Sequence, residues 1–283
     1  MRLTWLTDIH LDFITSPGDI KSSIHNLDLF CSLILDNKPD ACVITGDISR
    51  APFLQDHLVA LESRLGIPIY FVLGNHDFWD STIEAVRNKM IEITLRSKKL
   101  KYLSCIDYIM LDKKTALVGH DGWYDAFYSE PQYSNFIMND WMRIGDFVKS
   151  GCVINRSINI MPVLRIARNQ AMIATEHISR SIKKVILDKK PEKVIVATHV
   201  PPFVQPLQNS RGSMQDKSPW YASKTMGNML LSIARVNQNT NFEVICGHCH
   251  AEYEGEITTN LRLYSGGVEY SQPQPQITFE TVS

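Results

Sequence analysis

Imidazole, carboxylate and amide side chains stand directly after five short apolar runs of this sequence. The runs lead in chain order into Asp8 and His10, Asp47, the adjacent residues Asn75, His76 and Asp77, then His199, and finally His248 and His250. Because the carboxyl ends of parallel strands share one edge of a sheet, we expect these side chains to meet in one site. Asp8 and His10 are separated by one residue, as are His248 and His250. Alternate residues of an extended chain point to the same face, so both members of each pair are expected to reach the site.

The chemistry of this set suits metal ions. Neutral imidazoles and carboxylates without thiolates bind divalent or trivalent ions such as manganese, iron or zinc. Seven of the residues are candidate ligands, too many for one tetrahedral ion and suited to two ions with positions left for water and substrate: Asp8, His10, Asp47, Asn75, His199, His248 and His250. Two ions about 3.5–4 Å apart can share a carboxylate, hold a hydroxide and contact both oxygens of an in-line displacement. The set therefore predicts hydrolysis of a phosphate ester by a hydroxide held at a dinuclear metal centre.

The last two residues of the GNHD stretch, His76 and Asp77, are candidates for proton transfer. His76 lies beside the candidate ligand Asn75 and is followed by Asp77. An imidazole oriented by a carboxylate is a suitable proton donor to a leaving oxygen. We therefore predict that His76 is the catalytic acid and that Asp77 orients it.

Two further side chains are candidates for substrate contact. His120 follows the apolar run TALVG, so it either lines the site or occupies a turn. Arg211, like Lys217, lies in the loop after THVPPF and either binds phosphate oxygens or is an ordinary loop charge. The remaining histidines fall in helical segments and are expected on solvated helix faces: His25, His57 and His177.

Alternating strand and helix patterns must position these residues. Up to about residue 98, short apolar runs alternate with segments of helical spacing, which favours parallel pairing of the strands. One helix is predicted to begin at Ser81, because Glu84 completes a capping box with it. From about residue 100, short strands indicate a second sheet or a sheet edge, and a long amphipathic helix is predicted over residues 163–189.

The segment before that long helix is irregular and rich in aromatic residues. We interpret residues 1–283 as a single domain with an aromatic-rich, cap-like insertion around residues 123–162, because no repeat or linker divides the chain. The aromatic side chains either form a wall over the metals that stacks on a base, or pack the insertion onto the core.

Composition narrows the classes of partner. With 29 basic and 30 acidic residues the net charge is −1, so no overall field favours nucleic acid or an anionic membrane. A small phosphate ester or nucleotide is the expected substrate. The six cysteines mostly lie in apolar runs and are expected to be free thiols. The N-terminus shows no signal-peptide pattern and no apolar segment reaches about 18 residues, so a soluble, cytoplasmic protein is expected.

The blocks DIH, GD, GNHD, TH and GHCH, in this order, resemble the calcineurin-like metallophosphoesterase superfamily, whose pattern is DxH, GD, GNH[DE], an isolated histidine and GHxH. The resemblance implies an α/β fold, a four-layer α/β/β/α sandwich of two mixed sheets with flanking helices, and a dinuclear metal site at the carboxyl-terminal edge of the strands. It also implies two ligand groups joined by a bridge: Asp8, His10 and His250 for the first metal, Asn75, His199 and His248 for the second, and Asp47 between them. His76 would assist catalysis beside the metals.

The open alternatives concern the substrate. After Asp47 the sequence reads GDISRAP where the protein serine/threonine phosphatases have GDxxDRG, and this argues against that branch. Because of this difference and of the aromatic insertion, we favour a phosphodiesterase or nucleotide hydrolase. A phosphomonoesterase is the alternative, and a non-catalytic binding scaffold on the same fold is a further one. A scaffold is expected to have lost a ligand or the catalytic histidine, and none of these residues is missing from the sequence.

Overall fold

Short strands and helices alternate along the chain, and the computed structural model describes residues 1–15, 18–154, 157–209 and 213–281. The predicted substrate contact Arg211 lies outside these ranges. The strands are β1 (Arg2–Leu6), β2 (Ala41–Thr45), β3 (Ile69–Val72), β4 (Leu100–Tyr102), β5 (Ile109–Met110), β6 (Thr115–His120), β7 (Val153–Ile154), β8 (Ser157–Ile158), β9 (Lys193–Thr198), β10 (Asn241–Cys246), β11 (Tyr253–Thr258), β12 (Leu261–Ser265) and β13 (Thr278–Glu280). The helices are α1 (Leu11–Ile14), α2 (Ile20–Asp36), α3 (Ala51–Leu65), α4 (Ile83–Arg96), α5 (Asp140–Arg143), α6 (Gly145–Lys149), α7 (Ile160–Lys189), α8 (Met214–Tyr221) and α9 (Lys224–Val236).

Most of the strands belong to two mixed sheets. In the first sheet the order is β13-β1-β2-β3-β4, with β1 to β4 parallel and β13 antiparallel at the edge. In the second the order is β11-β12-β10-β9-β6-β5, with parallel strands in the middle and an antiparallel strand at each edge. Strands β7 and β8 pair separately. Buried side chains such as Trp5, Leu117 and Tyr264 pack between the two sheets.

Helices cover the outer face of each sheet. Leu27 of α2, Leu54 of α3 and Val86 of α4 share a core cluster with Phe71 of the first sheet. Helices α7 and α9 share another cluster with the second sheet, to which α7 contributes Ile182. The sequence of layers is therefore helix, sheet, sheet, helix, which confirms the predicted four-layer α/β/β/α sandwich.

The central strands are apolar because both of their faces are covered. Every residue of β2 and of β3 is buried. Burial on both faces produces the continuous apolar runs that are typical of parallel sheets. Charged side chains are excluded from these strands and are placed just past the strand ends.

Helix α4 begins at a different cap from the one predicted. Its N-cap is Thr82, whose hydroxyl accepts a hydrogen bond from the Ala85 N–H at 3.3 Å. The Ile83 N–H donates to the Asp146 carboxylate at 2.8 Å. The predicted capping box that starts at Ser81 is therefore wrong, and the first turn of α4 is instead tied to the aromatic insertion, to which Asp146 belongs.

The aromatic insertion packs into the main core. Trp123, Tyr124, Trp141 and Phe147 are buried in the same cluster as the apolar faces of α3 and α4. Of the two roles considered for this segment, packing onto the core accounts for these four side chains. That residues 1–283 form a single domain stays a prediction.

The cysteines lie mostly in the interior. All six are free thiols, and Cys105 is the exposed one. Burial raises the pKa of Cys42 to about 12, so this thiol is unreactive at neutral pH. Among the helices in the described ranges, none is long and apolar enough to cross a membrane.

Candidate metal centre

The strand ends of both sheets bring the predicted ligands together. In the first sheet, Asp8 and His10 follow β1, Asp47 follows β2, and Asn75 follows β3; in the second, His199 follows β9, and His248 and His250 follow β10. Both sheets therefore contribute to one cluster of seven side chains. Their roles as metal ligands stay a prediction.

Four members of the cluster form a compact group. Asp8, His10, Asp47 and His250 each offer one nitrogen or oxygen, and these atoms lie within 4.8 Å of one another. The Nε2 atom of His250 is 3.3 Å from Asp8 Oδ1 and 3.3 Å from His10 Nε2. Imidazole nitrogens and carboxylate oxygens at these spacings fit a manganese, iron or zinc ion.

The other side chains form a second group around the opposite oxygen of Asp47. Asn75 Oδ1 lies 3.0 Å from His199 Nε2 and 2.9 Å from His248 Nδ1. Asp47 Oδ1 is 3.4 Å from His199 Nε2, while Asp47 Oδ2 is 3.8 Å from His10 Nε2. The Asp47 carboxylate therefore stands between the two groups, with one oxygen toward each.

Hydrogen bonds at the rear of two imidazoles fix which ring nitrogen faces the cluster. His199 Nδ1 lies 2.8 Å from the Thr45 carbonyl oxygen, and His248 Nε2 lies 3.0 Å from the Trp220 carbonyl oxygen. A carbonyl oxygen only accepts, so these nitrogens carry the protons and donate. The opposite nitrogens present lone pairs to Asn75 Oδ1, as in metal-ligating histidines. In neutral rings these nitrogens, at 3.0 Å and 2.9 Å from Asn75 Oδ1, would repel the amide oxygen unless a cation lay between them, so the second group also fits a metal ion.

Burial favours the neutral, metal-binding form of two imidazoles of the cluster, His10 and His248. Burial lowers the pKa of His10 to about 3 and the pKa of His248 to about 3. Burial opposes the charged form of Asp8 as well, but the His250 imidazole overcomes this and holds the pKa of Asp8 below its usual value. Burial and the neighbouring Asp8 raise the pKa of Asp47. A cation between the two carboxylates would relieve this competition.

The backbone of the cluster is strained. Five of the residues have positive φ: Asp8 (48°), His10 (39°), Asp47 (50°), His248 (69°) and His250 (48°). The extended geometry that was expected to bring each His or Asp pair to one face is therefore wrong, since left-handed turns do so instead. Non-glycine residues in this region each cost roughly 1–2 kcal/mol, and such strain concentrates at functional sites.

The motif glycines allow the close approach of these loops. A Cβ atom on Gly74 would overlap the Asp47 carboxylate and lie 2.7 Å from His199 Cε1. A Cβ atom on Gly247 would overlap the Asp8 carboxylate and the Thr7 hydroxyl. The glycines of the GNHD and GHCH blocks are thus required because candidate ligands from other strands occupy the space beside them.

His76 stands beside both groups without belonging to either. It begins a short 3₁₀ helix, His76–Phe78, and its Nε2 atom is 3.9 Å from Asp47 Oδ2. Its ring stacks on Trp79, with 3.5 Å between centroids and 25° between planes. Burial and the neighbouring imidazole of His10 lower the pKa of His76 well below its usual value.

Asp77 does not orient the His76 ring. One of its oxygens accepts from the Ile48 and Ser49 N–H groups, each at 2.8 Å, and the other accepts from the Gly74 N–H at 2.8 Å. The predicted role is therefore wrong, because both oxygens are taken up by backbone donors. Asp77 joins the loop after β2 to the loop after β3, and the support for the His76 ring comes from Trp79.

A cavity of about 310 Å³ opens above the cluster, and aromatic rings flank it on both sides. Tyr270 lies over the first group, with its ring centroid 4.7 Å from that of His10. Tyr221 lies over the second group, 4.7 Å from His248. Phe136 of the insertion and Lys217 also line this space. The two tyrosines are far from the motifs along the chain, so no spacing signal indicated them.

The structure does not bring His120 to the cluster. Its ring is buried at the end of β6, 5.2 Å from the ring of His177, and its Nδ1 accepts from the Gly122 N–H at 3.3 Å. It is not among the described residues that line the cavity. His177 is buried too, so the solvated position predicted for it is wrong, although His25 is exposed as expected and His57 is half-buried.

Asp121, the neighbour of His120, joins several elements beneath the cluster. Its carboxylate accepts from the Leu73 N–H at 2.9 Å, from Tyr102 Oη at 2.7 Å and from Ser104 Oγ at 2.7 Å. It also pairs with Arg87 Nε at 2.9 Å. Burial opposes its charge, but Arg87 overcomes this and lowers the pKa of Asp121.

Replacing Arg87 by methionine is expected to destabilise the fold by about 3–5 kcal/mol at pH 7, because a buried carboxylate loses its cation. In the wild type the folded pKa of Asp121 lies below its unfolded value. The contribution of ionised Asp121 to the free energy of unfolding is therefore complete above about pH 4, and it is lost as the pH falls through the folded pKa. Without Arg87, burial raises the pKa of Asp121, so the variant protonates this carboxylate at a higher pH than the wild type does and the deficit of Arg87→Met should shrink between pH 7 and pH 4. Urea denaturation at pH 7 and pH 4 measures this, with the exposed Arg96→Met as control. A deficit equal at both pH values would contradict the expectation.

Known sequences and structures resemble this chain over most of its length. The sequence model of the calcineurin-like phosphoesterase family matches residues 1–252. The fold is similar to that of a phosphopantetheinyl hydrolase from Mycobacterium tuberculosis, with 13% sequence identity, a TM-score of 0.62, and coverage of 97% of this chain and 95% of that one. It is also similar to a dimetal phosphatase from Danio rerio, with 15% identity, a TM-score of 0.57, and coverage of 97% and 90%. No curated protein sequence gives a significant match.

Proposed function

Since the chain belongs to the calcineurin-like phosphoesterase family and is thus a metal-dependent hydrolase of phosphate esters, we propose which residues carry the reaction and which esters it accepts. The observation that carries the proposal is the approach of His199 Nε2 and His248 Nδ1 to Asn75 Oδ1, at 3.0 Å and 2.9 Å, while the opposite nitrogen of each ring donates to a backbone carbonyl oxygen. Neutral imidazoles bonded in this way have no proton left to donate to Asn75 Oδ1, whereas a cation would bind all three atoms.

The seven clustered side chains would hold two metal ions. Asp8, His10 and His250 would hold the first, Asn75, His199 and His248 the second, and Asp47 stands between the two groups. Metal ions held there would supply an activated water molecule for attack at phosphorus and neutralise charge on the phosphoryl oxygens. The proposed ions are manganese, iron or zinc, and Mn²⁺ is the first ion to test.

His76 protonates the leaving oxygen. His76 lines the cavity, and its ring stacks on that of Trp79, so it would be within reach of a phosphoryl group bound beside the two ligand groups. Burial and the other imidazoles keep the ring neutral in the free protein, but an anionic phosphoryl oxygen beside it favours the imidazolium form. The proton that His76 transfers is therefore acquired together with the substrate.

The preferred substrate is a phosphodiester or nucleotide with a flat leaving group. Tyr221 and Tyr270 present rings on opposite sides of the cavity, and stacking of a base on such a ring contributes about 1–3 kcal/mol. Among the described residues that line the cavity, Lys217 is the only lysine, and there is no arginine. A diester carries one negative charge at the reacting phosphate and needs fewer cations around it than a dianionic monoester, which supports the diester over the monoester.

Hydrolysis of bis-p-nitrophenyl phosphate should exceed hydrolysis of p-nitrophenyl phosphate by at least about tenfold in kcat/KM in the presence of Mn²⁺, a difference of roughly 1.4 kcal/mol in transition-state stabilisation. The Asp47→Asn variant, purified in parallel, controls for contaminating phosphatases. A preference for the monoester would show that the protein is a phosphomonoesterase and not a phosphodiesterase. Turnover of neither ester by protein that binds two Mn²⁺ ions would favour the non-catalytic scaffold.

A further inference from the structure

A buried carboxylate of the aromatic insertion lies beside the candidate metal centre. Asp140 begins the one-turn helix α5 and has 0% of its surface exposed. Its Oδ1 atom accepts two hydrogen bonds, from Asn75 Nδ2 at 2.8 Å and from Trp79 Nε1 at 2.8 Å. One oxygen of the insertion therefore contacts both a candidate metal ligand and the residue on which His76 stacks.

The bond to Asn75 decides which end of the amide faces the cluster. The oxygen and the NH₂ group of an asparagine are similar in size, but a carboxylate only accepts hydrogen bonds and so selects the NH₂ end. With Asn75 Nδ2 turned toward Asp140, Asn75 Oδ1 is left to face His199 and His248. The reversed amide would point hydrogen atoms at the cluster, where they would repel a cation.

The bond to Trp79 fixes the surface beneath His76. The indole ring lies 3.5 Å from the His76 ring, and the Arg143 guanidinium lies 4.5 Å from the indole centroid. Arg143 is the last residue of the same α5 turn. Two residues of α5 therefore hold the indole, one through its N–H group and one through its ring.

Backbone contacts attach the α5 turn firmly to the GNHD loop. The Asp80 N–H donates to the Arg143 carbonyl at 2.9 Å, and the Gly145 N–H donates to the Ser81 carbonyl at 2.7 Å. The Arg143 guanidinium also pairs with the Asp80 carboxylate at 2.6 Å. These contacts place the Asp140 carboxylate at a fixed distance from Asn75, so the insertion has the rigidity that a support requires.

We propose that Asp140 is a positioning residue, which holds the Asn75 oxygen toward the second metal ion and the Trp79 indole beneath His76. The proposal rests on the ligand role of Asn75 in the proposed function. Burying a carboxylate is unfavourable unless it is well paired, and Asp140 is retained in the interior because these two contacts need an acceptor there. A substitution of Asp140 that keeps an acceptor should therefore preserve metal affinity, and one that removes the acceptor should lower it.

The test measures Mn²⁺ binding to the full chain by isothermal titration calorimetry. We expect wild-type protein to bind two ions, and Asp140→Leu to lose about 10- to 100-fold in affinity for one of them. Asp140→Asn keeps an acceptor at Oδ1 and should stay close to wild type. In an Asn75→Ala background, Asp140→Leu should cause no further loss, because a residue that acts through Asn75 has no effect once that side chain is gone.

Several outcomes would overturn the proposal. Wild-type affinity in Asp140→Leu would do so, and so would an undiminished further loss in the Asn75→Ala background, which would indicate a merely structural role. If Asp140→Leu does not fold, Mn²⁺ binding is measured on Asp140→Ser instead. Its shorter side chain does not span the gap to Asn75, so the same loss of affinity is expected. Wild-type protein that binds fewer than two ions would overturn the proposed metal centre itself, and with it the role of Asp140.

Discussion

Replacement of His76 by alanine is expected to lower kcat by about 10²- to 10⁴-fold while both metal ions stay bound. The ring lies outside the two ligand groups, so its loss removes a proton donor and leaves the candidate ligands in place. The deficit should depend on the leaving group, because p-nitrophenolate departs without much help from an acid. A diester with an alkyl leaving group should therefore suffer more from His76→Ala than bis-p-nitrophenyl phosphate does.

Steady-state kinetics with the two classes of diester, together with calorimetric Mn²⁺ titration, measure this difference. His25→Ala is the matched control, since His25 is an exposed imidazole on α2. An equal deficit for both leaving groups would show that His76 does not donate the proton. A loss of bound metal in His76→Ala would instead place the imidazole among the ligands.

Replacement of Asp47 by asparagine is expected to reduce the bound Mn²⁺ from two ions to one and to lower kcat by about 10³-fold or more. Asparagine is close to aspartate in shape and can still accept a hydrogen bond from the backbone N–H of His76, which donates to Asp47 Oδ1 at 2.9 Å in the wild type. It offers only one oxygen and no charge, however, so one of the two groups would face an NH₂ group. The several kcal/mol that a paired metal site contributes to the transition state would be lost with the second ion.

Calorimetry at increasing Mn²⁺ concentration, followed by activity measurements on the same samples, tests this expectation. The exposed Asp36→Asn at the end of α2 controls for a general effect of removing one negative charge. Binding of two ions with unchanged affinity in Asp47→Asn would rule out a bridging role. Full recovery of activity at high Mn²⁺ would show that Asp47 contributes affinity alone.

The cluster of candidate ligands could be predicted from sequence because each member follows an apolar run directly. Strand ends of a parallel sheet share an edge, and that geometry is independent of the details of packing. The role of Asp77 could not be predicted in the same way. Adjacency in sequence suggests a partner for a carboxylate, but Asp77 is buried among backbone N–H groups that include two from the loop after β2, and only the fold brings those donors to it.

The positions of Asp140, Tyr221 and Tyr270 depend on tertiary contacts that leave no periodic signal. Asp140 lies in an irregular segment, and the register of that segment against the GNHD loop decides what its carboxylate meets. The burial of His177 has a similar cause. The helical spacing of α7 is evident in sequence, but this 30-residue helix packs against two core clusters and buries a wider face than one amphipathic stripe indicates.

The division of the candidate ligands between two sheets links metal binding to the stability of the whole sandwich. An ion that binds only when both sheets are in place stabilises their packing by about 2.7 kcal/mol at a concentration 100 times its dissociation constant. The linkage is reciprocal, so loosening the layer between the sheets weakens the site without touching a ligand. Substitutions of Leu117 or Tyr264, which lie in that layer, should then act as remote regulators of metal occupancy. The supply of metal in the surroundings would in turn set how much of the protein is folded.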